Sequence, residues 1–147
     1  MILTVLCGIP GSGKTTMSER IAAEQRATLY CFDKRKGAFN SAKVADVRRQ
    51  MCAEIAEELR SGKSVVCDDL HTKKVWRQNL LNAVSGIGCR KVLVVMTTPL
   101  DECLRRNNNR KARLPDAMIH IINREYEHPT PEEGWDEIVF VTTESGS

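Results

Sequence analysis

Aromatic residues are scarce in this sequence: three Phe, two Tyr and two Trp in 147 residues. That is little material for stacking a run of bases, so an extended single-strand groove is not expected. Long hydrophobic runs are also missing. None approaches the roughly 20 residues that span a bilayer, which excludes a helical membrane protein. The apolar start, Met1 to Cys7, is short and has no basic leader. It reads as a buried strand rather than a signal peptide, and the chain is expected to be cytoplasmic. The six cysteines form no C-x-x-C pair, and His71 has no second His or Cys at ligand spacing. A zinc site is therefore not expected, and the thiols read as small hydrophobes in a reducing compartment. There is no internal repeat, low-complexity tract or linker. The net charge of +3 is too mild to identify a partner.

What is present is an alternation. Apolar, β-branched runs at Ile2–Cys7, Thr28–Phe32, Ser64–Cys67, Lys91–Met96 and Glu137–Val141 predict strands buried on both faces. Between them, Lys14–Gln25, Ala42–Arg60, Lys73–Val84, Pro99–Asn107 and Pro115–Tyr126 predict helices. Val44, Val47, Met51, Ile55 and Leu59 recur at helical spacing and mark a core-facing stripe. The length suits one domain, residues 1–147. The pattern predicts an α/β fold of three layers, with a mostly parallel five-stranded sheet. In such sheets ligands bind beyond the carboxyl ends of the strands, so the residues after each run carry most information.

Gly8-Ile9-Pro10-Gly11-Ser12-Gly13-Lys14-Thr15 satisfies G-x-x-x-x-G-K-[ST] at every fixed position. The glycines allow close backbone approach, and the exposed N–H groups with the following helix N-terminus form an anion cradle. Gly8, Pro10, Gly11, Ser12, Gly13, Lys14, Thr15 and Thr16 are the expected ATP-binding residues. Lys14 would reach the β- and γ-phosphates, and the Thr15 hydroxyl would bind Mg²⁺. The second strand ends at Asp33, followed by Lys34-Arg35-Lys36. A carboxylate there can accept the proton of an attacking hydroxyl, and Arg35 and Lys36 can hold an acceptor phosphate. The alternative is a solvated charged turn. The third strand ends at Asp68-Asp69, where Asp68 is the expected contact to the Mg²⁺ shell and Asp69 can cap the next segment. His71 reads as a surface or acceptor-side residue. Ser61-Gly62-Lys63-Ser64 has Glu57 where a first glycine would stand and reads as a helix-to-strand turn. After the fourth strand, residues 99–114 are rich in Arg and Asn. Arg106 and Arg110 share a face if the helix continues, and would close over the phosphates as a lid.

Together these elements resemble the kinase domain of the polynucleotide 5′-hydroxyl kinases of phage and bacterial type. Gly8–Thr16 matches that family's phosphate loop. Asp33 matches its catalytic aspartate, with Lys36 where the family's D-x-x-R has Arg. Asp68 matches the aspartate after the third strand, with Leu70 where Asn is frequent. Arg106 and Arg110 resemble the R-x-x-x-R pair of the lid, and Pro129–Trp135 resembles a P-x-x-x-E-G-[FW] segment. The resemblance implies ATP and Mg²⁺ as cofactors, a 5′-hydroxyl of DNA or RNA as acceptor, and Asp33, Lys14 and Arg110 as the catalytic set. Many kinases of that family are fused to phosphatase or ligase domains; this chain ends soon after the last predicted strand and is expected to be a kinase alone. The residues alone leave two other readings open. One is a kinase of a small-molecule hydroxyl, such as a nucleoside, sugar or antibiotic. The other is an ATP-binding regulatory module.

Overall fold

The structure is a computed structural model that describes residues 1–143. The elements follow in the order β1 (Ile2–Cys7), α1 (Lys14–Gln25), β2 (Thr28–Cys31), α2 (Val44–Arg60), β3 (Val65–Asp68), α3 (Lys74–Ala83), β4 (Arg90–Met96), α4 (Leu100–Asn108), α5 (Asp116–Arg124) and β5 (Glu137–Val141). The strand order is β2-β3-β1-β4-β5. All four pairings are parallel, so the sheet is wholly rather than mostly parallel. Helix-connected parallel strands must be covered on both faces, because each crossover lays a helix against the sheet.

Pleating sorts the side chains into two cores. Leu3, Val5 and Cys7 of β1 face one side with Val65, Cys67, Leu93 and Val95. That face is closed by Met51, Ile55 and Leu59 of α2 and by Leu80 and Leu81 of α3. The helical stripe expected in α2 is thus buried at three positions, with Val44 and Val47 partly buried at its start. Leu6, Val66, Val94 and Met96 face the other side, covered by Met17, Ile21 and Ala22 of α1. A third, smaller core joins Ile9 of the glycine loop to Cys103 of α4 and Ile119 of α5.

The order puts β1 between β3 and β4, with β2 beyond β3. The carboxyl ends of β1, β2 and β3 therefore open on the same edge of the sheet. Ser61-Gly62 is a helix-to-strand turn as expected, with Gly62 at φ +93°. Two expectations shift. The helix of the lid ends at Asn108, so Arg110 lies in the turn beyond it rather than one turn along the same helix. His71 is buried, not a surface residue. Its Nδ1 donates to the carbonyl of Leu6 at 2.9 Å, and its backbone sits at φ +51°. No described helix is long and apolar enough to cross a membrane.

Candidate functional site

The loop after β1 curls because its glycines must be glycines. At Gly8 a Cβ would stand 2.6 Å from Ser12 Oγ. At Gly11, φ is +84° and a Cβ would stand 2.6 Å from the backbone oxygen of Cys103. Gly13, at φ +96°, caps α1, whose first turn has no acidic residue to compete with an anion. The loop is held from outside as well. Leu70 accepts a bond from Gly8 N at 2.9 Å, and the carbonyl of Ser12 accepts from Thr98 Oγ1 at 2.9 Å and Thr143 Oγ1 at 3.3 Å. The Ser12 hydroxyl is buried without a hydrogen-bond partner among the described residues. A buried donor of this kind beside an array of N–H groups fits a site built to receive phosphate oxygens.

Lys14 is buried, and its Nζ donates to the carbonyl of Ile9 at 2.9 Å. Burial lowers its pKa, and the charges of Asp68, Asp33 and Asp69 oppose that fall. The charges of three carboxylates from two strand ends thus act on one ammonium at the loop. Asp68 is buried and accepts from Ser18 Oγ at 3.1 Å. Thr15 and Thr16 are exposed on the first turn of α1. One hydroxyl and one aspartate are few ligands for a protein-only metal site, and no group of three or more His, Cys, Asp or Glu among the described residues can hold an ion. They do fit Mg²⁺, which keeps its waters and takes phosphate oxygens along with one or two protein groups.

Asp33 stands at the exposed rim, in a short 3-10 turn at the end of β2. Partial withdrawal of its carboxyl from water raises its pKa, as do the charges of Asp69 and Asp68, while Lys14 and Arg110 pull it back. Arg110 therefore lies near enough to act on Asp33, although it stands outside α4. Arg106 reaches the loop itself. It donates to the carbonyl of Gly11 at 3.3 Å and to Thr143 Oγ1 at 2.8 Å, and it is paired with Glu102 at 3.0 Å. Of the two cations expected to face an acceptor, Lys36 is exposed. Arg35 is instead drawn to α2, with a two-pronged bond to Glu54 at 3.0 and 2.7 Å.

Two residues, Arg48 and Arg77, matter here that the sequence did not single out. Arg48 of α2 lies between the rings of Phe32 and Trp76, at 4.3 and 4.0 Å from their centroids. It also pairs with buried Asp69 at 2.9 and 3.2 Å. Asp69 is thereby occupied, which leaves Asp33 as the carboxylate facing outward. Arg77 and Glu133 form a fully buried ion pair at 2.9 Å through both prongs. Glu133 belongs to the E-G-W segment, but nothing in helical or strand spacing points from it to Arg77, 56 residues away.

The geometry is that of a phosphate cradle facing a carboxylate, and comparison with known proteins agrees in fold. Protein kti12 of Schizosaccharomyces pombe is 25% identical over 158 residues, covering 95% of this chain and 56% of that protein. The L-seryl-tRNA(Sec) kinase of Methanococcus maripaludis is 26% identical over 153 residues, covering 97% of this chain and 60% of that protein. The chain thus spans little more than half the length of these relatives. Among solved structures, Chaetomium thermophilum Kti12 in complex with ADP-AlF3 superposes with a TM-score of 0.68 at 19% identity, over 95% of this chain and 88% of that one. The fold is that of the P-loop kinases. The family model described as chromatin associated protein KTI12 matches residues 1–146, and the chain belongs to that family.

Proposed function

We propose that this chain transfers the γ-phosphoryl group of ATP to a hydroxyl, with Asp33 as general base. The observation that carries the reading is the convergence of Lys14 and Asp33 on one mouth of the sheet. Lys14 lies on the phosphate cradle after β1, and Asp33 lies at the end of β2, two strands along the sheet and within electrostatic reach of it. In this reading Lys14 draws negative charge from the transferring group, and the loop N–H groups hold the phosphates in line. Asp33 takes the proton of the acceptor hydroxyl as the hydroxyl oxygen bonds to the γ-phosphorus and the bond from that phosphorus to the bridging oxygen breaks, releasing ADP. A carboxylate whose surroundings resist ionisation is a better base than an ordinary aspartate. Arg106 and Arg110 offset charge at the loop and at Asp33 respectively. Mg²⁺, bound with ATP, would neutralise the phosphate oxygens between Thr15 and Asp68.

The acceptor hydroxyl is carried on a nucleic acid in this reading. Lys34 and Lys36 are exposed beside Asp33, and no ion pair among the described residues engages either, which suits a polyanion. A 5′-hydroxyl end is one such acceptor. The relative named as a seryl-tRNA kinase points to a second, a hydroxyl borne on an aminoacylated RNA. Membership of the KTI12 family favours an alternative, in which the same site is an ATP-dependent switch acting on a partner. The discriminating experiment incubates the protein with γ-labelled ATP and a panel of 5′-hydroxyl oligonucleotides, aminoacylated RNAs, nucleosides and sugars. Label appearing on an RNA or DNA acceptor, and absent with Asp33→Asn, supports the kinase. Label on a small alcohol alone moves the acceptor to that class. Release of inorganic phosphate with no labelled acceptor assigns the switch.

A further inference from the structure

Phe39 is 76% exposed, more than any other large hydrophobic side chain among the described residues. Its exposure does not come from a slack backbone. Arg35 N bonds Phe32 O at 3.0 Å, Ala38 N bonds Arg35 O at 3.2 Å, and Asn40 N bonds Gly37 O at 3.1 Å. Asn40 then accepts the N–H groups of Val44 and Ala42, through its carbonyl at 3.0 Å and its side-chain oxygen at 2.9 Å. On one side of Phe39, Ala38 is buried. Gly37, at φ +89°, packs so close to α2 that a Cβ would stand 3.3 Å from Val47. The chain on either side of Phe39 is thus tied down, and its ring is left in water. A fixed aromatic surface of that size costs free energy unless a partner covers it.

The surroundings say what covers it. Phe39 lines an open concavity of about 650 Å³ together with Lys36, Ala38, Asn40 and Lys43. Lys36 and Lys43 are exposed, and neither joins an ion pair among the described residues. Arg35, which also lines it, is neutralised by Glu54. The concavity lies on the segment that begins two residues beyond Asp33. A planar apolar face flanked by uncompensated cations is complementary to a nucleobase on its sugar–phosphate chain.

We infer that the loop from Lys36 to Lys43 is a one-base platform: Phe39 stacks on a base at an unpaired end of a nucleic acid strand, and Lys36 and Lys43 hold the adjoining phosphates. The position next to Asp33 rests on the reading of that residue as the acceptor side. A single platform also reconciles the basic rim with so few aromatic residues: one ring seats one base, and no groove of rings is required.

Binding measured without ATP separates this inference from the transfer reaction. A short fluorescein-labelled single-stranded oligonucleotide, as RNA and as DNA, is titrated with the parent and with Phe39→Ala, Phe39→Trp and Lys36→Ala/Lys43→Ala variants, and anisotropy is read. Phe39→Ala weakens binding about 5- to 150-fold, and Phe39→Trp restores it, because base stacking needs a ring rather than a particular residue. An abasic strand of the same length binds the parent as weakly as the intact strand binds Phe39→Ala. The double lysine variant loses about one in the slope of log affinity against log salt for each phosphate contact removed. ADP affinity stays at the parent value throughout, which confirms that the fold and the phosphate cradle are intact. Equal binding by parent and Phe39→Ala overturns the inference. So does failure of the parent to bind any strand, including the case where Phe39→Ala abolishes self-association and shows that a second copy covers the ring. Strands that bind through Phe39 but receive no phosphate leave the platform standing and refute the nucleic-acid acceptor. A labelled small alcohol, with no strand bound by the parent, leaves the kinase standing and overturns the platform.

Discussion

Asp33 must ionise in company that resists it. Its carboxyl is partly withdrawn from water and faces the charges of Asp69 and Asp68, with Lys14 and Arg110 only partly compensating. Its folded pKa is therefore raised above the ordinary 3.8. The ionised form is less favourable in the folded chain than in the unfolded one, so stability present at low pH is lost as pH rises through the folded value. Asp33→Asn removes that loss. The variant is expected to melt higher than the parent at neutral pH, with the gap closing below the ordinary aspartate value. Its transfer rate is expected to fall about 10²- to 10⁴-fold with ATP affinity nearly unchanged. Calorimetry at two pH values, alongside the labelled-transfer assay, reads both effects. A residue kept only for structure would lower the melting temperature, and its loss would not separate binding from turnover.

At the scale of the element, α4 braces the phosphate loop. Cys103 is buried against Ile9, and its backbone oxygen sits where a Cβ on Gly11 would need to be. Arg106 adds a bond to the carbonyl of Gly11. Gly11→Ala therefore meets two obstacles together: a positive φ and a backbone oxygen that cannot swing aside. The cost is expected at about 1–3 kcal/mol, with a loss of ATP affinity as the loop or α4 moves away. Melting temperature and ADP titration measure it, and wild-type values in both would show that α4 does not seat the loop. The sequence announced the elements more clearly than this contact. The strands Ile2–Cys7 and Glu137–Val141 and the helix Lys14–Gln25 have the expected bounds, because β-branched runs and a glycine-lysine start are local signals. The end of α4 was legible to within one residue, but the turn beyond it was not. Asn107 looks like a helix residue in sequence, yet its side chain bonds the backbone of Leu114 at 2.7 and 3.0 Å. That pair of bonds fixes the turn carrying Arg110, and its partner lies seven residues away.

Across the whole molecule, the buried Arg77–Glu133 pair joins parts that are distant in sequence. Arg77 of α3 donates to both carboxylate oxygens of Glu133 and, at 2.8 Å, to the carbonyl of His71. Glu133 also accepts from Trp135 Nε1 and from the N–H of Thr130, each at 3.2 Å. The His71 carbonyl takes the Cys7 thiol at 3.2 Å, and Leu70 holds Gly8 N, so the network ends on the phosphate loop. The phosphate cradle and Asp33 could be read from motif and strand-end position. This support could not, since its two charges resemble surface residues until the fold buries them. Removing one partner strands the other charge in the core. Arg77→Met is expected to cost about 3–5 kcal/mol, while Arg77→Met/Glu133→Leu recovers most of it by replacing the pair with apolar volume. Burial alone would raise the pKa of Glu133, but the bonds from Arg77 and Trp135 more than reverse that, and its folded value lies below the ordinary 4.5. The stability this supplies is complete above the unfolded value and is lost as pH falls through the folded one. Urea unfolding of the parent should therefore show an acid-side decline below the ordinary glutamate value, and the double variant should show a shallower one. If the network also sets the loop, the double variant keeps its fold yet binds ADP more weakly. Unchanged ADP affinity would confine the pair to stability alone.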